Sequence, residues 1–308
     1  IQRASCLLIS KLPLFDIQSS IPYVVAALDQ PDSTASLQTY ACEAVASLAS
    51  FEKHAAVLLS ADVAVLEHVM RAMHQHLSEA ALQLWALNAI GWLSDHKAFV
   101  VTAEVLQAIA TVMESNASSV EIQSRAVWVV YRLVLSSSAA AVKERIAASA
   151  AFEALITAAQ AFPDARGLQC NCSNTFICLA FNSEQSTAKI AEKGGMDVCV
   201  RAIQHHTADT RVMIAAFDAL SALCYRSLVR CQDLEKTAAL DLVVKGMQQH
   251  SADAKLQEVG CVVLGTVAAH QVMKTMVRGH GAVSAICAAM QAHPTSVLVA
   301  KNGARALS

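Results

Sequence analysis

Apolar residues recur along this chain in a single register. An aliphatic residue, usually followed by Gln, opens each occurrence: Ile1-Gln2, Leu37-Gln38, Leu82-Gln83, Ile122-Gln123, Leu168-Gln169, Val212-Met213, Leu256-Gln257 and Leu298-Val299. Taking the second residue of each pair as zero, position +3 is small: Ser5, Ala41, Ala86, Ala126, Cys172, Ala216 and Gly260. Position +7 is apolar and mostly large: Ile9, Val45, Ile90, Val130, Phe176, Leu220 and Leu264. Position +10 is aliphatic: Leu12, Leu48, Leu93, Leu133, Leu179, Leu223 and Val267. Positions −1, +3, +7 and +10 share one side of a helix. Position +6 is mostly apolar as well (Leu8, Ala44, Ala89, Val129, Ala219 and Val263), so the buried face is wide. The small residue at +3 marks a place where another helix crosses closely.

Successive anchors are 36, 45, 40, 46, 44, 44 and 42 residues apart. Their mean of about 42 falls in the range of armadillo and HEAT repeats, roughly 40–47, and well above the 33–34 of ankyrin and tetratricopeptide repeats. A second apolar helix precedes each anchor: Val63 to Met73, Val105 to Met113, Phe152 to Ala161, Val198 to Ile203, Leu242 to Met247 and Val283 to Met290. Polar turns such as His205-His206-Thr207-Ala208-Asp209 and His250-Ser251-Ala252-Asp253 separate the two. A third, short helix is expected between each +10 residue and the next second helix. The Ser/Ala stretch from Ser136 to Val142 reads as a longer loop or a drawn-out helix end.

Composition agrees with an all-α chain. Ala, Leu and Val dominate, while Gly (10) and Pro (5) are scarce among 308 residues. The net charge is −2, and no basic stripe of the kind nucleic-acid binding needs is visible. The longest apolar runs, such as Cys261 to Ala269, fall short of the roughly 20 residues of a membrane span. Residues 1–15 lack a signal-peptide pattern, and there is no initiator Met, which suggests a piece of a longer protein. Ten cysteines in a helical chain of this length point to a reducing, cytoplasmic setting, with most of them acting as small buried hydrophobes.

The unit resembles an armadillo repeat. Gly194-Gly195 and Gly279-His280-Gly281 are similar to that family's glycine turn. The other junctions lack it: Ala61-Asp62, Ala103-Glu104, Ala150-Ala151 and Ala239-Leu240. HEAT repeats are the alternative, and the Leu-Gln-x-x-Ala core fits the armadillo pattern better. The resemblance spans the whole chain and implies a right-handed superhelical α-solenoid of residues 1–308. Its units are approximately 1–20 (partial), 21–62, 63–104, 105–151, 152–197, 198–241, 242–282 and 283–308 (partial). Stacked repeats create a long concave surface. The resemblance implies that the anchor helix lines it.

On that helix, positions +2, +5 and +9 form a second line, about 120° from the core stripe. It reads Tyr40, Glu43, Ser47; Trp85, Asn88, Trp92; Arg125, Trp128, Arg132; Asn171, Asn174, Cys178; Ala215, Asp218, Ala222; and Val259, Val262, Thr266. All three tryptophans lie on it. Trp and Arg are enriched at interface hot spots, and Asn can hydrogen-bond an extended main chain. The candidate partner-binding patch is therefore Tyr40, Trp85, Asn88, Trp92, Arg125, Trp128, Arg132, Asn171 and Asn174. Its expected partner is a protein or extended peptide with acidic or apolar side chains. The competing reading has the tryptophans closing gaps between repeats and the arginines capping helices. Nuclear-import adaptors of the armadillo family use Trp at +5 and Asn at +9. Here +5 is Trp only at Trp128, +9 is never Asn, and no acidic groove is apparent, which argues against recognition of basic import signals.

Other groupings carry less. His74, His76, His205, His206, His250 and His293 recur where second helices end and fit the helix dipole better than a metal site. Cys170 and Cys172 point in different directions on one helix, while Cys6, Cys42 and Cys261 share position +4 as packing residues. No nucleophile elbow, phosphate loop or dinucleotide fingerprint appears, and the carboxylates are dispersed. The sequence thus reads as a binding scaffold within a larger protein, with no catalytic residues, metal or cofactor. A structural spacer or autoregulatory domain is the alternative. If the half-repeats at the ends are exposed, their apolar faces would drive end-to-end self-association.

Overall fold

The computed structural model describes residues 17–29, 34–60 and 63–308, with backbone alone at 17–20. The first anchor, Ile1-Gln2, with Ser5, Cys6, Leu8, Ile9 and Leu12, lies outside the described residues, as does the Ala61-Asp62 junction. Every regular element among the described residues is helical.

The chain divides into two compact units, residues 1–158 and 159–308. The first holds α1 (Ile17–Asp29), α2 (Ala35–Ala49), α3 (Glu52–Leu58), α4 (Val65–Gln75), α5 (Ala80–Leu93), α6 (Ala103–Ser115), α7 (Val120–Leu135), α8 (Ala140–Ala147) and most of α9 (Ala150–Ala161). Anchor helices α2, α5 and α7 stack side by side, and α1, α4 and α6 form a second layer. The second unit holds α10 (Arg166–Ala180), α11 (Glu184–Glu192), α12 (Gly195–His205), α13 (Thr210–Cys224), α14 (Leu228–Glu235), α15 (Ala239–Gln249), α16 (Ala254–Ala268), α17 (Lys274–Gly279), α18 (Ala282–Ala292) and α19 (Val297–Leu307). There α10, α13, α16 and α19 form the anchor layer, and α12, α15 and α18 the other.

The register read from the sequence is the core. Ala41, Ala86, Ala126, Cys172 and Ala216 at +3 are fully buried, and from Val45 to Leu264 at +7 and from Leu48 to Val267 at +10 none is more than 4% exposed. Polar side chains start most anchor helices. Thr34, Ser119, Asp209, Asp253 and Ser296 each accept a backbone N–H of the first turn, an interaction that stabilises a helix by about 1 kcal/mol.

The recurring Gln at zero is buried, which its polarity alone would forbid. Its amide explains it. Gln83 Nε2 donates to the carbonyls of Met73 (2.9 Å) and His76 (2.8 Å). Gln123 does the same at Met113 and Asn116, Gln169 at Ala159 and Phe162, and Gln257 at Met247 and His250. Each Gln thus satisfies the open carbonyls at the C-terminus of the helix before it. Met213 breaks the series. Its methyl occupies space left by Gly246, where a Cβ would lie 2.3 Å from it.

A second ladder joins neighbouring repeats. The residues that end the second helices reach back to the preceding repeat's turn. His206 Nε2 lies 2.9 Å from Pro163 O, His250 Nε2 2.6 Å from Thr207 O, and His293 Nε2 2.7 Å from Ser251 O. Asn116 Nδ2 donates to Leu77 O at 3.0 Å. These histidines do sit at helix C-termini, and their rings hold inter-repeat register. Two arginines add staples. Arg230, 8% exposed, forks onto the Glu184 carboxylate (2.7 and 3.0 Å) and donates Nε–H to Leu223 O. Arg145 donates to Val101 O at 2.5 Å.

Two connections differ from expectation. No short helix forms between α5 and α6, where residues 94–102 make turns. That connection is too short to leave one helix, build another and re-enter, whereas residues 136–149 and 181–194 leave room. The stretch from Ser136 to Val142 is neither a long loop nor a helix extension. Residues 136–139 form a brief link, and Ala140 already starts α8. At the repeat junctions, Gly194 (φ 83°) and Gly281 (φ 78°) are left-handed as expected, and Ala64 (φ 45°) takes the same conformation without a glycine. For Ala this costs about 1–2 kcal/mol.

Among the described residues no single helix is long and apolar enough to cross a membrane; α16 and the segment Gln271–Gly279 meet the length and composition only as a pair bent by 112°.

Candidate indole–guanidinium site

In the first unit the second line of the anchor helices gathers its large side chains at the C-terminal half of α5 and along α7. Trp92 and Trp128 meet edge to face, with ring centroids 5.6 Å apart and planes at 68°. Such a pair adds about 0.5–1.5 kcal/mol beyond its buried area. The Arg132 guanidinium sits over both rings, 5.2 Å from Trp92 and 5.4 Å from Trp128. It also pairs with Asp95. Arg125 covers the Trp128 ring at 5.3 Å.

This arrangement follows from helical spacing. Arg125, Trp128 and Arg132 are i, i+3 and i+7 on α7, so both cations can reach one ring. Trp92 and Asp95 are i, i+3 across the end of α5. Gly91 completes the seat. A Cβ there would lie 2.2 Å from Trp128 Cζ3, so the indole rests directly on the α5 backbone. Trp128 therefore closes a gap between repeats, as the structural reading of the tryptophans requires. Trp92 remains 37% exposed.

The two arginines differ. Arg132 is held by two rings and a carboxylate, its Nε is buried without a hydrogen-bond partner, and desolvation lowers its pKa. Arg125 is half-buried on one ring face, and among the described residues no ion pair engages its fork. It is the cation with donors left for an incoming carboxylate.

The remaining predicted residues lie around this cluster or elsewhere. Tyr40, Trp85 and Asn88 are half-buried on α2 and α5. Asn171 and Asn174 are half-buried on α10 and belong to the second unit. The expectation that the whole line is exposed is corrected at Glu43 (9%), Ala215 (8%) and Val259 (1%), which are buried. Neighbouring elements cover the face at these three positions, and at the second unit's smaller side chains Ser221 bonds Thr266 across adjacent repeats at 3.1 Å. Sequence reasoning missed Asp95 and Gly91. Both lie off the +2, +5, +9 positions, though Asp95 is one turn beyond Trp92.

Cysteines follow the packing expectation. Cys42, Cys172, Cys199, Cys224, Cys231 and Cys261 are buried, whereas Cys170 and Cys178 are half-buried and Cys287 is exposed. Burial pushes the Cys199 thiol up to about 12 and that of Cys261 to about 11, which leaves both as unreactive thiols near neutrality. Among the described residues no group of three or more His, Cys, Asp or Glu side chains is placed to hold a metal ion.

A scan of protein-family models matches none, and a search of curated proteins finds no match. Solved structures do match in fold. Computationally designed armadillo repeat proteins for modular peptide recognition are 18% identical, with 93% of this chain and 98% of theirs covered and a TM-score of 0.50. A structure described under a phosphorylation switch controlling the interaction between cadherin and beta-catenin is 13% identical, with 99% of this chain and 64% of that chain covered and a TM-score of 0.50. This chain thus spans less than two thirds of the latter. The fold is an all-α solenoid of armadillo-like repeats.

Proposed function

We propose that this chain is a non-catalytic binding scaffold that holds an extended protein segment on the anchor-helix face of its first unit. The observation behind this reading is the Trp92–Trp128–Arg132–Arg125 cluster. Its rings and cations are ordered by one another, so few rotamers remain to be frozen on binding. Trp92 offers exposed indole area, and Arg125 offers a fork that no ion pair engages among the described residues. The fold supports the reading only in general terms, because armadillo-like solenoids present long faces for binding. The partner segment would set apolar side chains against Trp92 and an acidic one against Arg125. The reading invokes no cofactor and no nucleic acid.

A spacer role draws support from the second unit. There the line on α13 and α16 carries mostly small side chains and is partly closed, through Ala215, Val259 and the Ser221–Thr266 bond. The two readings separate in affinity capture with the double variant Trp92→Ala, Arg125→Glu. Captured partners should be lost while the helical circular-dichroism signal stays. Unchanged capture would remove the binding reading and leave the spacer. Trp128 is avoided in this test because its ring supports the packing of α5 against α7.

A further inference from the structure

The three short helices of the second unit turn different faces to solvent. α11 shows Glu184, Gln185, Ala188 and Glu192, and α14 mixes Val229 with Gln232 and Asp233. A polar outside is what a surface helix normally has. α17 and the 3-10 turn before it, Gln271–Met273, depart from that pattern. Met273 and Val277 are buried against the unit, yet Val272 (62%) and Met276 (45%) are exposed one turn apart. Their exposure belongs to their positions. Measured back from the residue that caps the following helix (Gly194, Ala238 or Gly281), Val272 stands where Gln185 and Val229 stand, and Met276 where Lys189 and Asp233 stand. All of these reach solvent, and only α17 makes both of them apolar.

Charge changes at the same place. Residues 259–308 contain Lys274, Arg278, Lys301 and Arg305 and no Asp or Glu, in a chain whose net charge is −2. Arg278 is exposed, and among the described residues no ion pair engages it. Lys274 donates one of its three N–H groups to Ser308 O at 2.9 Å and keeps two. Asp241 approaches from α15, but His280 Nδ1 holds it at 2.7 Å. Lys274 and Arg278 are i, i+4 on α17. Together with the exposed Val283 and Leu307 they line a cavity of about 390 Å³ that has no carboxylate in its wall.

We propose that α17 docks the second unit on an anionic membrane surface. Val272 and Met276 enter the boundary between head groups and acyl chains. Lys274 and Arg278 lay their aliphatic stems along the apolar layer and place their charges on lipid phosphates. An acid-free cationic surface calls for an anionic partner, and the apolar pair calls for one that is also amphiphilic. A protein partner fits less well. Stable protein interfaces bury about 1,200–2,000 Å² around an apolar core, whereas a six-residue helix with two apolar side chains is an anchor of the size a bilayer takes up. The helix lies in the interface and spans nothing. The proposal is independent of the binding role of the first unit.

The test is sedimentation of the intact chain with phosphatidylcholine vesicles, with and without about one third phosphatidylserine. The chain should sediment only with the anionic vesicles and should be released as salt rises. Lys274→Gln with Arg278→Gln should weaken this binding roughly thirtyfold. Val272→Ser with Met276→Ser should weaken it about tenfold or more. Lys53→Gln with Lys97→Gln removes the same charge from exposed positions of the first unit and should change little. None of these side chains is buried, so all three variants should keep the helical circular-dichroism signal. Absence of binding to anionic vesicles would overturn the proposal. So would equal losses in the α17 and first-unit charge variants, or binding that survives Val272→Ser with Met276→Ser, since either leaves only diffuse attraction. An acidic peptide held by α17 in the absence of any vesicle binding would assign the surface to a protein and overturn it as well.

Discussion

Replacing Gln83 with Met tests whether the buried glutamines are structural caps. The side chains are similar in length, so the change removes polarity more than volume. Gln83 Nε2 makes two bonds, to Met73 O and His76 O. Each contributes about 0.5–1.5 kcal/mol net, so about 1–3 kcal/mol is lost. The two carbonyls then fare differently. His76 O keeps the Glu79 N–H at 3.0 Å, whereas Met73 O loses its Gln83 donor at a buried site, a further cost of about 1–3 kcal/mol. Against this, Gln83 Oε1 is itself buried without a partner, and deleting it recovers a similar amount. The net is a destabilisation of about 1–3 kcal/mol. A 2 kcal/mol loss in a unit of this size lowers Tm by roughly 4–8 °C. Gln107→Met, the same chemistry on an exposed helix position, is the control and should change little. Hydrogen exchange should show faster opening of the amides at His76 and Glu79 before the rest of the unit. The reverse change, Met213→Gln, should be neutral or stabilising, since it supplies the cap that repeat lacks. Equal Tm values for Gln83→Met and Gln107→Met would refute the capping argument.

Two further outcomes follow from single contacts. Gly91→Ala should displace the Trp128 indole, shift tryptophan emission to the red and cost about 1–3 kcal/mol, partly offset by up to about 1 kcal/mol of helix propensity; unchanged emission would show that the ring does not rest on α5. Glu184→Gln should cost about 1–2 kcal/mol, because Arg230 is nearly buried but Glu184 is largely exposed and screened. The Arg230 fork lowers the Glu184 pKa in the folded state, so this stability is full above the carboxylate's unfolded pKa and is lost as pH falls through the lowered folded value. Urea midpoints of wild type and variant should therefore converge in acid, and a constant gap would disprove the linkage.

Helix existence and the core register were legible because burial on a solenoid repeats every turn and every repeat. A stripe such as Ile122, Ala126, Val130 and Leu133 has no other explanation than a covered face. The missing short helix was foreshadowed by the 40-residue step between Gln83 and Gln123. The role of the glutamines was not legible. Periodicity placed Gln83 on the buried side, and only coordinates show which carbonyls its amide meets. The exposed line failed at Glu43, Ala215 and Val259 for a related reason. A helical wheel gives the direction of a side chain, and the neighbouring helix decides whether that direction is covered. Asp95 and Gly91 escaped notice because one lies past the helix end and the other carries no side chain to read.

The two polar ladders bear on how binding and stability divide among residues. The Gln amides and the His and Asn caps fix register at the ends of the second helices, through backbone carbonyls that every sequence supplies. The anchor-helix face is therefore spared most of the work of holding repeats together, and its residue types can differ from one repeat to the next. The second unit uses that freedom to close the line with Ala215 and Val259. The first unit fills it with indoles and guanidinium groups. Trp128 is the exception, because the absent side chain of Gly91 makes its ring part of the wall. Trp92, 37% exposed, and Arg125, half-buried on one ring face, have no such glycine seat. Changes at these two should alter what the chain holds well before they alter whether it folds.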